Sequence, residues 1–503
     1  MEPKIVILGA GPTGLGAGYR LQELGYRNWM IYDRNPYVGG LATSFVDSAG
    51  FTYDIGGHVM FSHYPYFDAL VDKLLGDQYT EIMREAWVWI MDRFVPYPFQ
   101  NNIRHLPPDV VLECVLGLIE AHKDPDKFRQ ATNFSDMIDA QFGKGIAEVF
   151  MKPYNFKVWA HPVSHMSTDW LGERVALPNL QQILTNVILG QDSVSWGPNN
   201  KFKYPLYGGT GGLYTPFMRY VGDHVQLNKN AIAIDAEAKQ ITFSDGEVVE
   251  YDWLLSTMPL DLLIGRMGSN VPQEVTEQTH HLHHSSGLIV GVGVQKQVDT
   301  SKCWMYFPEP SSPFYRVTYL NNYSPFITPS EDYHLLLTET SSSPHKPEDK
   351  TTIIDRVIDG LINVKLLSEA DRSLIASSYL IDVDYSYPVP TVDRNHALGT
   401  IQPYLMSKDI YSRGRFGAWE YEIGNMDHSV MQGVEMVNYW LNNEAEQTWK
   451  NFEPAAQPIT VDTADDAFYA TPGHGWVRAT EVPSDESMQP SIETVDTLLD
   501  AAD

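Results

Sequence analysis

The sequence predicts an α/β protein: a βαβ-containing domain, interrupted by a helical insertion and accompanied by an antiparallel sheet domain. Three observations carry this. The run Lys4-Ile-Val-Ile-Leu8 leads into Gly9-x-Gly11-x-x-Gly14 and then an amphipathic stretch. Helical spacing takes over between Leu106 and Met151, and short alternating strands return from Asn228 to Pro259 and again between Leu288 and Asp384. At 503 residues the chain has room for about three domains of roughly 150 residues each, which excludes a disulfide scaffold and a lone binding module. With 43% hydrophobic and 20% charged residues the composition is globular, so disorder is confined to a segment.

The elements follow in order. The first strand, the glycine turn, a helix to about Leu24 and a strand Trp29-Met-Ile-Tyr-Asp33 make one βαβ unit. In the insertion, Pro107-Pro108 opens one helix, Ser135 is the expected N-cap of the next, and Gly143 separates it from a third. Ser244-Asp-Gly246 signals a hairpin between Gln240-Ile-Thr-Phe243 and Glu247-Val-Val-Glu-Tyr251. Leu335-Leu-Leu-Thr338 is one of several strands expected outside the βαβ domain. Beyond about Asn443 the chain turns acidic and aperiodic, with Val482-Pro-Ser-Asp-Glu-Ser near its end, and this tail is expected to be partly disordered.

Lys and Arg total 35 against 64 Asp and Glu, a net charge of −29. Such a surface repels nucleic acid and anionic lipid, so an anionic substrate needs a local positive pocket. Two cysteines, Cys114 and Cys303, build neither a disulfide framework nor a thiolate-rich metal site, and no metal-ligating set is expected. They suit a reducing compartment, and the cytoplasm is the expected location. No stretch approaches the ~18 apolar residues of a membrane helix: Val110–Ile119 is short and contains Glu113, and Leu288–Val294 is shorter still. Glu2 and the glycine turn argue against a signal peptide at the start.

Gly9, Gly11 and Gly14 follow a strand and open a helix, where backbone N–H groups can approach a pyrophosphate. Asp33 lies nineteen residues after Gly14, at the end of the second strand, placed to accept ribose hydroxyls. Two further glycine pairs, Gly39-Gly40 and Gly56-Gly57, allow backbone to approach a ligand longer than one nucleotide, so FAD fits better than NAD. The expected fold is therefore a Rossmann-like FAD-binding domain with a helical insertion domain and an antiparallel sheet domain.

Several clusters remain: Val95-Pro-Tyr97-Pro-Phe99-Gln100, Lys152-Pro-Tyr154-Asn155 through Trp159, Leu171-Gly-Glu-Arg174, Trp196-Gly-Pro-Asn199, Cys303-Trp304-Met-Tyr306, Phe314-Tyr315-Arg316 and Tyr385-Ser-Tyr387. Singly, each fits core packing as well as a site. In order, and with the histidine loop Gly56-Gly-His58-Val-Met-Phe61 and the late segment Gly424-Asn425-Met426-Asp427-His428, they resemble the eukaryotic-type UDP-galactopyranose mutases, over residue 1 to about 440.

The resemblance implies a three-part architecture: a split FAD-binding domain (1–75, 196–265 and 401–443), a sheet domain (76–104 and 266–400) and a helical domain (105–195), followed by the tail, 444–503. It also implies interconversion of UDP-galactopyranose and UDP-galactofuranose, with N5 of reduced FAD as nucleophile, no net redox change, and NADPH as external reductant. It implies that Arg174 and Arg316 hold the diphosphate and that His58 and Phe61 lie beside the flavin; His58, Arg174 and Arg316 are the catalytic candidates. Tyr97, Phe99, Gln100, Asn155, Trp159 and Asn199 map to the nucleotide side of the substrate, and Tyr306, Tyr387 and Tyr421 to the diphosphate and sugar. Arg415, Gly424, Asn425, Met426 and Ser429 map to the flavin, as do Thr13, Leu41 and Ala231 through backbone contacts. Two alternatives stand beside it. The FAD signal alone also fits an amine oxidase or desaturase, and the same scaffold serves noncatalytic binders such as the GDP-dissociation inhibitors. The polar amides, tyrosines and arginines suit a nucleotide sugar better than an apolar substrate.

Overall fold

The computed structural model describes residues 2–124, 126–171, 175–194, 201–449, 468–471 and 475–478. Ile5–Leu8, buried along its whole length, pairs in parallel with Trp29–Tyr32 on one side and Trp253–Ser256 on the other. Val225–Gln226 and Ile410–Ser412 complete a five-stranded parallel sheet, so three stretches distant in sequence build one layer. Such a sheet needs cover on both faces, which is why its strands read as unbroken apolar runs.

The helix Pro12–Glu23 follows the glycine turn, with proline in its first turn. It lies against the late helix Met426–Asn442 at backbone distance: a Cβ on Gly433 would sit 2.0 Å from the Thr13 carbonyl oxygen, and one on Gly16 would sit 2.6 Å from that of Val430. These two glycines let the helices cross so closely that both N-termini reach the same opening. The hairpin expected at Ser244-Asp-Gly246 is present, with Gln240–Phe243 paired to Val248–Glu250 and Gly246 at φ +87°.

The helical insertion contains Pro108–Lys123, Phe134–Ile146, a π-helical turn Ala147–Met151, Lys152–Trp159 and Leu180–Leu189. Its second helix is capped by Asn133 rather than Ser135: the Asn133 side chain accepts the Asp136 N–H, and Ser135 lies inside the first turn. Gly143 breaks the helix at φ +67°, ψ 164°, where a Cβ would strike the Gly117 carbonyl at 2.2 Å.

The second sheet has seven strands, in the order Ile375–Pro388, His284–Val294, His334–Ser342, Arg316–Tyr319, Trp304–Tyr306, Ala86–Ile90, Arg93–Pro96. It is antiparallel with one exception, the parallel pair Trp304–Tyr306 and Ala86–Ile90. One row across it runs Tyr306, Arg316, Glu339, Ile289, Ile381. Among the described residues no helix is long and apolar enough to cross a membrane. Of the tail expected from 444, residues 444–449 instead pack against the parallel-sheet domain, with Arg413 donating to Glu446 at 2.7 Å and the Thr448 hydroxyl donating to Glu435 at 2.9 Å; Phe468–Thr471 and Gly475–Arg478 form an antiparallel pair, and the other tail residues lie outside the described residues.

Candidate active site

The parallel sheet, the helical insertion and the seven-stranded sheet enclose one cavity of ≈1030 Å³. This exceeds the roughly 300–1,000 Å³ typical of a single small-molecule site.

At one end lie the glycine turns. Gly9, Gly11, Thr13, Asp33, Gly40, Leu41 and Ala231 line the wall. Gly11 and Gly40 face each other so closely that a Cβ on Gly40, at φ +54°, would lie 3.2 Å from the Gly11 Cα. Gly14 and Gly39 are not on the wall. A Cβ at Gly14 would meet the Gly9 carbonyl oxygen at 1.9 Å, so this glycine tightens the turn. Gly39, at φ +97°, donates its N–H to the Ala10 carbonyl at 2.8 Å and sets the second loop.

Asp33 is buried, and its two oxygens accept the Ala10 and Asn35 N–H groups, each at 2.7 Å. Burial raises its pKa against these bonds. Each oxygen keeps lone-pair capacity for a ribose hydroxyl.

The Met426–Asn442 helix points its N-terminus into the same cavity, with Gly424, Asn425, Met426 and Ser429 on the wall. Asn425 occupies the N-cap without a side-chain cap bond, so first-turn N–H groups and the helix dipole face the opening. Asp427 fixes this end by accepting His63 Nδ1–H at 2.8 Å; the two adjacent histidines outweigh burial and hold its carboxyl below the usual range. Arg415 spans the two halves, donating to the Ser386 and Gly424 carbonyls at 3.2 and 3.1 Å while lying 4.9 Å over the Tyr387 ring.

The sheet row forms the opposite wall. Arg316 meets Glu339 through two bonds, Nε to Oε1 at 2.6 Å and Nη2 to Oε2 at 2.7 Å. Glu339 also accepts the Gly57 N–H at 3.0 Å and the Tyr315 hydroxyl at 2.8 Å, and Tyr315 lies 3.2 Å from the Tyr387 hydroxyl. Burial pushes the Glu339 carboxyl up, but Arg316 and these donors outweigh it and hold it below its ordinary range. Gly56 and Gly57 pack on this carboxylate, where a Cβ would approach to 3.1 and 3.4 Å.

His58 follows, with Nδ1 buried and unbonded. Burial first, and the Arg415 charge second, pull its pKa from 6.5 to about 4, so the ring is neutral at pH 7. Phe61 completes the loop on the wall.

The far end is aromatic. Trp159 lies 4.7 Å from Tyr421 and 5.7 Å from Tyr387, and Tyr97 lies 5.0 Å from Tyr306, all on the wall. Gln100 donates to the Ala176 carbonyl at 2.5 Å, and Asn155 donates to the Met151 carbonyl at 2.7 Å, which leaves its amide oxygen as the remaining acceptor. Phe99 departs from expectation: it is wholly buried, off the wall, stacked 4.5 Å from Phe150, and so it supports the pocket from behind. Arg174 and Asn199 lie outside the described residues.

The sequence reading missed Glu339 and Arg84, and gave Tyr315 and His63 no role although both lie in segments it singled out. Arg84 donates to the Tyr306 hydroxyl at 3.3 Å and lies 4.6 Å over Trp304. A carboxylate inside the buried run from Leu335 to Thr340 was the available signal for Glu339.

The family model for flavin-containing amine oxidoreductases matches residues 12–367. A crystal structure of reduced UDP-galactopyranose mutase is 45% identical, with a TM-score of 0.85, and the match covers 89% of this chain and 96% of that one. The chain belongs to the UDP-galactopyranose mutases, within the flavin-containing amine oxidoreductase family. Wild-type putrescine oxidase bound to putrescine shares the fold alone, at 14% identity and a TM-score of 0.60 over 88% of this chain and 99% of that one. The zeta-carotene desaturase of Synechococcus elongatus is 38% identical over 71 residues, which span 14% of this chain and 15% of the desaturase. The chain therefore matches only a small part of that curated relative's length. Membership in the mutases fits the division of the cavity into a dinucleotide end and an arginine- and tyrosine-lined end.

The residues present fit FAD. Gly11 and Gly40 line the wall as bare backbone that a pyrophosphate can approach, Asp33 retains acceptor capacity, and His58, with its Nδ1 unbonded, lines the same cavity.

Proposed function

We propose that this chain is a flavin-dependent isomerase interconverting UDP-galactopyranose and UDP-galactofuranose, with FAD reduced by NADPH and no net redox change. The observation that carries the reading is the continuity of one cavity from the Gly11–Gly40 cradle to Arg316, Tyr306 and Trp159. Bound and reduced, FAD supplies the nucleophile, N5, for the anomeric carbon.

The chain supplies the rest. Arg316, held in plane by Glu339, presents its remaining N–H edge to the diphosphate and stabilises charge that grows as UDP leaves. Arg174 is proposed as its partner on the diphosphate and Asn199 as a nucleotide contact. Tyr306, Tyr387 and Tyr421 offer hydroxyls to the diphosphate and sugar, while Tyr97, Gln100, Asn155 and Trp159 hold the uridine by stacking and amide bonds. His58, neutral at pH 7, adds no charge beside Arg415 and can share a proton with a flavin edge atom. Gly9, Gly11, Thr13, Asp33, Gly40, Leu41, Gly56, Gly57, Ala231, Arg415, Gly424, Asn425, Met426 and Ser429 hold FAD; Gly14 and Gly39 shape the turns beneath it. The aromatic walls exclude water that would hydrolyse the sugar nucleotide.

Location in the reducing cytoplasm accords with Cys114 and Cys303, both buried free thiols. The test is to purify the protein, record its flavin spectrum, follow UDP-galactofuranose by chromatography after dithionite reduction under nitrogen, and assay the oxidised protein for peroxide with amines. Sugar-nucleotide conversion without peroxide supports the proposal; amine-dependent peroxide without conversion supports the oxidase alternative.

A further inference from the structure

Outside the cavity, three imidazoles converge where the helical insertion meets the seven-stranded sheet. His161 follows the end of the Lys152–Trp159 helix, His165 ends a short 3₁₀ turn, and His345 lies beyond the strand His334–Ser342. One ring nitrogen from each lies within 4.8 Å of the other two, and none of the three residues lines the cavity. His161 is 5% exposed, whereas His165 and His345 are exposed. His161 packs edge-on to His345 at 4.5 Å and to His165 at 5.6 Å between ring centroids.

We propose that His161, His165 and His345 form a binding site for a divalent transition metal of the zinc class, with the fourth position open to water. The donor set is three nitrogens without a carboxylate, which suits zinc, copper or nickel and not calcium or magnesium. Zinc–nitrogen bonds of about 2.0–2.1 Å require nitrogens roughly 3.3 Å apart in a tetrahedral site. Metal binding therefore requires the two exposed rings to turn about their side-chain bonds toward buried His161, the fixed ligand.

The surrounding backbone is already tied. Ser341 Oγ donates to the Val158 carbonyl at 2.6 Å, Ser343 Oγ donates to that of Ala160, and the Val392 N–H donates to that of His165 at 3.1 Å. A bound metal would clamp the helix carrying Asn155 and Trp159 to the strand carrying Glu339. Chain spacing gives no sign of the site, because His345 joins from a distant segment.

The experiment is calorimetric titration of tag-free, flavin-loaded protein with Zn²⁺, comparing wild type with His165→Ala and His345→Ala, alongside thermal melts. Both variants alter exposed side chains, so flavin content and turnover in chelator should be unchanged. The expected result is one tight equivalent in wild type that raises Tm, weakened at least about 10-fold in each variant with the Tm rise lost. Absence of tight binding in wild type, or the same stoichiometry and affinity in both variants, would overturn the proposal. The second set of three, His63, Asp427 and His428, lies at the flavin cavity, and metal bound there would persist in both variants.

Discussion

Arg316 and Glu339 face each other directly across two antiparallel strands, and their side chains close a two-pronged ion pair at 2.6 and 2.7 Å. The guanidinium proposed to hold the diphosphate is thus oriented by the protein itself. Its plane is set by a carboxylate that Gly57 and Tyr315 hold in turn.

Arg316→Lys keeps the charge but loses the fork, because an ammonium cannot make two parallel bonds in one plane. Turnover should fall by roughly 10²–10³-fold, as for loss of one donor to developing charge. Flavin content should be unchanged, and steady-state kinetics with a flavin-to-protein absorbance ratio checks both.

Glu339→Ala leaves Arg316 without its buried counter-ion. Breaking such a pair costs about 3–5 kcal/mol, and because Arg316 opens onto the cavity the loss should fall at the lower end. Glu339→Gln, which keeps the shape and one acceptor, should recover part of the stability but little of the turnover. Denaturant unfolding of the three proteins separates these outcomes.

The glycines divide by what a methyl group would meet. At Gly11 a Cβ meets only the Gly40 Cα at 3.8 Å, so Gly11→Ala should fold normally yet fail to retain flavin, because the pyrophosphate cradle is filled. At Gly14 the Cβ would sit 1.9 Å from the Gly9 carbonyl oxygen, so Gly14→Ala should destabilise the apoprotein itself. Thermal melts of flavin-stripped protein tell the two apart.

Glu420, on the cavity wall, has a pKa raised by burial and then by Glu422. A carboxyl whose pKa is higher folded than unfolded stabilises the fold at low pH, and that contribution is lost as pH rises through the folded value. The contribution of Glu420 to wild-type stability should therefore decline from the ordinary carboxylate range into mildly alkaline pH, and it is read as the difference from Glu420→Gln, because the buried, neutral His58 and His161 act in the opposite direction over the acid part of that range. Glu420→Gln, neutral throughout, should flatten that decline in denaturant melts across the range.

The βαβ unit, the Ser244–Gly246 hairpin and the glycine turns were legible because each is a local pattern of a few residues. The Asn133 cap was missed because Asn133 and Ser135 are both good caps and the sequence does not say which begins the turn. Phe99 was misplaced for a related reason: next to Tyr97 and Gln100, the sequence does not reveal which rings face the cavity. Glu339 was invisible as a partner of Arg316 because their meeting depends on strand register, which only the assembled sheet fixes. Chain separation likewise hid the His161, His165 and His345 cluster.

The most direct test of the central claim uses one flavin-loaded preparation, assayed by chromatography for conversion of UDP-galactofuranose to UDP-galactopyranose before and after dithionite reduction under nitrogen. The account predicts no conversion by the oxidised sample and rapid conversion by the reduced one. Equal activity in both states, or a fully reduced sample that leaves the sugar nucleotide unchanged, would contradict it.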